Sequence, residues 1–403
     1  MRVASLDIIR GVAVLGILAI NIAGFAGPSI GALTPNLPHP AGIWGETAYA
    51  IGFVLFEGKM RALFAMLFGA SMALFIDRAE AAGRDADLLQ ARRLAWLLLF
   101  GALHYALLWW GDILFAYAAC GFIVLLLHRL PLRLLVAAAL TLFMALHVAG
   151  LVANLPMVNA EEAERIGVAA PMQAQAVGRY YTYVDMMIGR ELGQYAGGFV
   201  QIAATKLHEH PLWLIHGVRD GFGEYVPLMA IGMALQRTGF FAGAWSLRVM
   251  LAIAVGGTLA GLGATLMALD WLWPRHFPVI AMDAAVRYGL ALPHLLTALG
   301  YAALLVLATP WLGTTGAGRR LGAAGQMAFS NYLGTSLVMT GVFYGWGLGL
   351  FGRVGPLAQW GFVALGWALM LILSPLWLKH WRRGPLEWLW RSLTERRLQR
   401  NRN

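Results

Sequence analysis

The stretch Arg92-Arg93-Leu-Ala-Trp-Leu-Leu-Leu-Phe-Gly101-Ala-Leu-His104-Tyr-Ala-Leu-Leu-Trp109-Trp110-Gly111-Asp112-Ile-Leu-Phe-Ala-Tyr117-Ala decides the fold class. It is apolar for long enough to enter hydrocarbon, and its tight Trp109-Trp110-Gly111 turn reverses the chain. It therefore reads as two membrane-crossing helices joined by a short hairpin. His104 and Asp112 stand inside or at the end of these apolar runs. An ionisable side chain facing lipid costs at least about 2.5–3.5 kcal/mol, so such residues face a bundle interior or a watery cavity and mark function.

Outward from this hairpin the 403-residue chain is of the same kind. It is 60% hydrophobic and only 12% charged, which excludes a water-soluble globule. Apolar segments near 4–27, 43–77, 92–110, 113–128, 133–153, 213–236, 247–269, 286–308, 325–348 and 357–378 approach or exceed the ~20 residues a spanning helix needs. The expected fold is all-α: one polytopic membrane domain, residues 1–383, with about ten transmembrane helices. A basic amphipathic tail, 384–403, follows. Asp7 and Arg10 interrupt what would otherwise resemble a secretion signal, so the first segment is expected to remain as a span. Cys120, the single cysteine, forms no intrachain disulfide.

Basic residues set the expected orientation, because Lys and Arg accumulate in cytoplasmic connections. With both termini inside, 19 of the 30 basic residues fall on the inner side, from Arg2 through Arg78, Arg84, Arg92 and Arg93 to the eight of the tail. Only 7 fall outside. The net charge of +10 thus concentrates on one membrane face, and anionic lipid, not nucleic acid, is the expected partner. Leu386, Leu389, Trp390 and Leu393 share one helical stripe, which predicts an interfacial C-terminal helix.

Two segments depart from the simple pattern. From Gly42 to Asp77 a straight helix would run about 54 Å, well beyond the ~30 Å hydrocarbon core. A bend is expected at Gly58 within Glu57-Gly58-Lys59-Met-Arg61, leaving the three charges facing protein or water. The other departure is the long outer connection 154–212, whose length suits a lid or a surface excursion.

His104 precedes the outer end of its span and Asp112 lies just past the turn, so the two can meet across the hairpin. Together they suit a histidine general base oriented by a carboxylate, which would activate a hydroxyl or amine nucleophile. The structural alternatives are a histidine hydrogen-bonded in packing and an aspartate that caps the next helix. Asp7 and Arg10, three residues apart, share a helical face and can pair. Asn21 lies farther along the same span, and Arg219 with Glu224 is a further candidate pair. Asn331-Tyr332 opens the ninth span on the inner side. No His, Cys, Asp or Glu set has metal-ligand spacing, and there is no phosphate-binding loop or serine elbow. Most of the 48 glycines suit close helix packing.

Five blocks in order carry a family resemblance. They are Leu6-Asp7-Ile-Ile-Arg10-Gly11 with Leu15-Gly16-Ile17-Leu18 and Asn21; Glu57-Gly58-Lys59-Met-Arg61-Ala-Leu63-Phe64 with Leu67-Phe68-Gly69-Ala70; His104 with Gly111-Asp112-Ile113-Leu114 and Tyr117; Gly325-Gln-Met327-Ala328 with Asn331-Tyr332-Leu333; and Gly384-Pro385-Leu386-Glu387-Trp388-Leu389-Trp390-Arg391. Over nearly its whole length the chain resembles the YeiB family of bacterial inner-membrane proteins. More distantly, its first span is similar to that of the transmembrane acyltransferases that include the heparan glucosaminide acetyltransferases. That resemblance implies an acyl group passing from cytoplasmic acyl-CoA, used as a cosubstrate with no tightly bound cofactor, to an extracytoplasmic or membrane acceptor.

The resulting expectation is an integral-membrane acyltransferase. His104 is its base and Asp112 the orienting partner. Asp7, Arg10, Asn21, Glu57, Lys59, Arg61, Asn331 and Tyr332 bind donor or substrate, Arg10, Lys59 and Arg61 taking anionic groups. The acceptor is a small molecule, lipid or glycan. The alternative is a transporter or lipid-handling protein in which the same buried charges form an ion or substrate pathway.

Overall fold

A computed structural model describes residues 4–402; Arg2, included in the charge asymmetry above, lies outside them. Among the described residues no β-strand forms. The helices are α1 (Ala4–Ala26), α2 (Gly42–Leu55), α3 (Lys59–Ala81), α4 (Ala86–Leu107), α5 (Leu114–Leu127), α6 (Leu132–Arg165), α7 (Pro171–Tyr195), α8 (Phe199–Glu209) and α9 (Trp213–Arg237). They continue with α10 (Leu247–Leu251), α11 (Thr258–Leu272), α12 (Val279–Ala284), α13 (Ala291–Leu312), α14 (Gly316–Gln326), α15 (Ala328–Phe343), α16 (Pro356–His380) and α17 (Pro385–Glu395). Single π turns join α10 to α11 and α12 to α13.

Among the described residues six stretches are long and apolar enough to cross a bilayer: α1, α2 with α3, α6, residues 247–275, α13 and α16. The remaining four expected segments coincide with α4, α5, α9 and α15. Of these, α5 and α15 are short, and α4 and α9 carry several charged residues. The outer helices bare broad apolar faces: Leu134, Leu140 and Val152 on α6, Leu259 and Met267 on α11, and Ile372 and Leu373 on α16 are all exposed. So much uncovered hydrocarbon belongs in lipid, and the protein is a polytopic helical membrane bundle.

α1 and α3 lie at its centre, with Ile9, Ala13, Leu63, Ala65 and Met66 fully enclosed. Small residues let the backbones close up. A methyl on Gly69 of α3 would lie 1.9 Å from Met229 O of α9, and one on Gly232 of α9 the same distance from Met66 O of α3. Contact this close replaces the hydrophobic drive that lipid does not supply. The second apolar segment breaks where expected. Gly58 takes φ 69° and its missing side chain leaves room for the His294 ring.

Two of the expected elements take on detail. The connection 154–212 is almost wholly helical, not loop: α6 runs on past Pro156 to Arg165, then α7 and α8 follow. Glu162 and Arg165 pair one turn apart on this extension at 2.7 Å. Glu161 anchors it by accepting Ile280 N–H and Ala281 N–H at the start of α12. The C-terminal helix α17 has the expected amphipathic pattern but docks on the bundle. Glu387 Oε1 accepts Phe329 N–H and Ser330 N–H at 2.8 and 3.0 Å, satisfying the first turn of α15. Trp390 Nε1 donates to Arg93 O at 2.9 Å.

Candidate functional site

Asp112 Oδ2 lies 2.7 Å from His104 Nδ1, and neither side chain has any solvent exposure. The other carboxylate oxygen, Oδ1, accepts Phe115 N–H at 2.8 Å and so caps the first turn of α5. The approach depends on Gly101, one turn before His104. A methyl there would sit 2.3 Å from Phe115 N and 2.8 Å from Asp112 Oδ1. With Nδ1 facing the carboxylate, Nε2 is left enclosed and, among the described residues, without a hydrogen-bond partner. The contact with the carboxylate thus sets the orientation of the ring and leaves Nε2 as its open nitrogen.

The turn between α4 and α5 is clamped from several sides. The Trp109 and Trp110 indoles both donate to Gly24 O at 3.3 Å, and Trp109 stacks on Phe25 at 4.1 Å. From the long helical connection, Lys206 Nζ donates to Tyr105 O at 2.6 Å, and Tyr105 OH donates back to Lys206 O at 3.0 Å. Burial lowers the Lys206 ammonium to about 8. Trp213 Nε1 adds a bond to Trp110 O at 2.8 Å. The connection thus packs against the hairpin that holds the His–Asp pair.

Tyr332 of α15 completes this locus. Its ring centroid is 5.2 Å from that of His104, and its hydroxyl donates to Gly111 O at 3.3 Å. Tyr332 also lines a cavity of about 210 Å³, walled by Phe64, Phe68, Leu97 and Phe329 and reaching Arg10 and Arg93. A wider vestibule of about 490 Å³ shares Arg10, Ser71 and Arg93 with it and adds Arg78, Arg84 and Arg391. Arg93 lies eleven residues before His104 on α4, about 16 Å along the axis. The two cavities thus adjoin at Arg10, Ser71 and Arg93, and the inner one reaches the Tyr332 ring beside His104, although His104 and Asp112 themselves line neither.

The other expected residues divide between these cavities and structural work. Asp7 lines the vestibule and pairs with Arg10 at 3.3 Å, while Arg10 Nη2 also donates to Ser71 Oγ at 2.6 Å. Asn21, half-buried on α1, lines neither cavity. Asn331 donates to Ala324 O and Ser374 Oγ, both at 3.0 Å, joining α14 and α16. Glu57, Lys59 and Arg61 form a separate polar cluster. Arg61 contacts Glu57 at 3.3 Å and Glu224 at 3.0 Å, and the enclosed Lys59 ammonium donates to Phe53 O at 3.0 Å.

The expected pairing of Arg219 with Glu224 does not form. Five residues apart on one helix they point about 140° from each other, so Arg219 takes Asp220 and Glu224 takes Arg61. Sequence reading missed Arg93, Ser71, Gln90 and Trp390 as cavity residues. Arg93 follows Gln90 by one turn and bonds to it at 3.3 Å, a local signal that had pointed only to topology.

The fold and site define a membrane-embedded helical bundle with an enclosed His–Asp pair separated from a cavity with arginines in its wall by the Tyr332 ring. The chain belongs to the YeiB family. It is 31% identical to the uncharacterized protein YeiB of Escherichia coli (strain K12) over 98% of this chain and 97% of that one. It is 30% identical to the uncharacterized protein YxaH of Bacillus subtilis (strain 168), over 98% and 94%. Residues 235–397 match the family described as "Protein of unknown function (DUF418)". No solved structure matches.

Proposed function

We propose that the protein is an integral-membrane acyltransferase, moving an acyl group from a cytoplasmic acyl-CoA-type donor to a hydroxyl or amine of an extracytoplasmic or membrane acceptor. The observation that carries this reading is the buried His104–Asp112 pair with an unpartnered Nε2. Nε2 takes the acceptor proton as the acceptor oxygen or nitrogen bonds to the thioester carbonyl carbon. Collapse breaks the C–S bond, and the departing sulfur takes that proton, leaving an ester or amide and a free thiol. Asp112 steadies the imidazolium between the two transfers. The Tyr332 hydroxyl, in a long bond to Gly111 O, can turn to the developing oxyanion.

In the same proposal ten helices cross the bacterial inner membrane and both termini are cytoplasmic. The arginine-rich end then faces the donor and anionic lipid, and the connection 154–212 lies outside. Cysteines at positions 85 and 175, made in a Cys120→Ser background, should label from opposite sides of intact cells; labelling from one side defeats this topology.

Purified protein in nanodiscs, given acetyl-CoA with the acetyl carbon labelled and a total membrane lipid and glycan extract, should release free thiol and place label in a non-CoA product. Retention of all label on the thioester would count against acyl transfer. Flux of a labelled ion or lipid with no covalent change would support the transporter alternative.

A further inference from the structure

The vestibule is rich in cationic side chains. Five arginines, Arg10, Arg78, Arg84, Arg93 and Arg391, line it against two carboxylates, Asp7 and Glu395. Asp7 is held by Arg10, and Glu395 accepts a two-pronged bond from Arg84 at 2.5 and 3.1 Å. Arg93 is placed between two aromatic faces, 4.2 Å above the Phe75 ring and 4.5 Å above that of Trp390. Among the described residues its polar side-chain partner is the neutral Gln90 amide oxygen at 3.3 Å. Stacking of this kind fixes the guanidinium plane and leaves its N–H fork directed in the plane, the geometry that recognises phosphate through paired hydrogen bonds. Behind Arg93 the walls turn apolar, with Phe64, Phe68 and Leu97 around the inner cavity.

We propose that the vestibule is a binding site for the phosphate group of an amphiphile, with Arg93 as its centre, Arg391 and Arg78 around it, and the apolar portion of the ligand in the cavity behind. The C-terminal helix is part of the site, because it supplies both the Trp390 face and Arg391. Phosphate of this kind arrives on an anionic phospholipid or on a soluble phosphate-bearing donor. If the second is the source, the inference deepens the acyl-transfer reading and rests on it. Binding is measured without turnover, so either can fail alone.

Calorimetry of the full-length protein in neutral detergent with inorganic pyrophosphate is the test. Wild type should bind, and both Arg93→Gln and the exposed Arg391→Gln should weaken binding about tenfold, the weight of one charge-assisted bond pair. Arg93→Lys, which keeps the charge and loses the fork, should fall between. Moving wild type into phosphatidylcholine nanodiscs with phosphatidylglycerol added should abolish the pyrophosphate signal if lipid is the natural occupant and leave it intact if the ligand is soluble. Equal pyrophosphate affinity in wild type, Arg391→Gln and the distant control Arg165→Gln, or no binding by wild type, would overturn the proposal.

Discussion

Asp112 serves His104 and helix α5 at once: Oδ2 lies 2.7 Å from His104 Nδ1, and Oδ1 accepts the Phe115 N–H at 2.8 Å. Orientation of the histidine ring and capping of a helix, which the sequence offers as alternatives, are the two ends of one carboxylate. Each restrains the other. The capping bond pins the carboxylate, and the pinned carboxylate fixes which imidazole nitrogen is open.

Gly101→Ala should loosen this arrangement while leaving His104 and Asp112 themselves unsubstituted. The added methyl meets Phe115 N and Asp112 Oδ1, and overfilling of this kind costs about 1–3 kcal/mol. Thermal unfolding in detergent should show a lowered Tm. Turnover per folded molecule should fall as well, because the aspartate is displaced from His104.

Stability should rise with pH between about 8 and the ordinary lysine value near 10.4. Burial holds the Lys206 ammonium at about 8 in the folded protein, so over that range the unfolded chain binds more protons and deprotonation favours the fold. The contribution is unfavourable below pH 8, where the charge must be buried, and is relieved as pH rises through the folded value. Lys206→Met should flatten this part of the Tm profile, and an unchanged profile in the variant would assign the slope to other groups.

The Arg61 cluster should behave non-additively. Arg61→Met strands Glu57 and Glu224, and a buried charge left without its partner costs about 3–5 kcal/mol. These side chains retain some exposure, so the loss should fall at or below the lower end. The triple variant Arg61→Met, Glu57→Gln, Glu224→Gln should recover much of it. Chemical denaturation of the wild type, both variants and the double variant Glu57→Gln, Glu224→Gln in one detergent measures the coupling.

The helical class, the break at Gly58 and the meeting of His104 with Asp112 were legible because each depends on local signals: apolar run length, a glycine beside charges, and a short turn between two polar residues. The inner cavity was not. Arg93, Ser71 and Trp390 come from α4, α3 and α17, and no spacing along the chain encodes their convergence. Lys59 and Arg61 look alike in sequence as anion-binding charges. Yet helix α9 brings Glu224 to Arg61 and the bend at Gly58 turns Lys59 onto Phe53 O, so their charges meet partners within the fold. Arg219 and Glu224 misled for a simpler reason, since a five-residue separation does not share a helix face.

The most direct test of the acyl-transfer account is the specific activity of His104→Gln, measured with its Tm on the same purified sample. Glutamine fills the imidazole's space and can hydrogen-bond Asp112, but it cannot accept the acceptor's proton. The account predicts a fall in rate of about 10²- to 10⁴-fold, the usual contribution of a general base, with the Tm little changed. Full specific activity per folded molecule, or a lowered Tm with undiminished turnover, would contradict the base assignment and return His104 to a packing role.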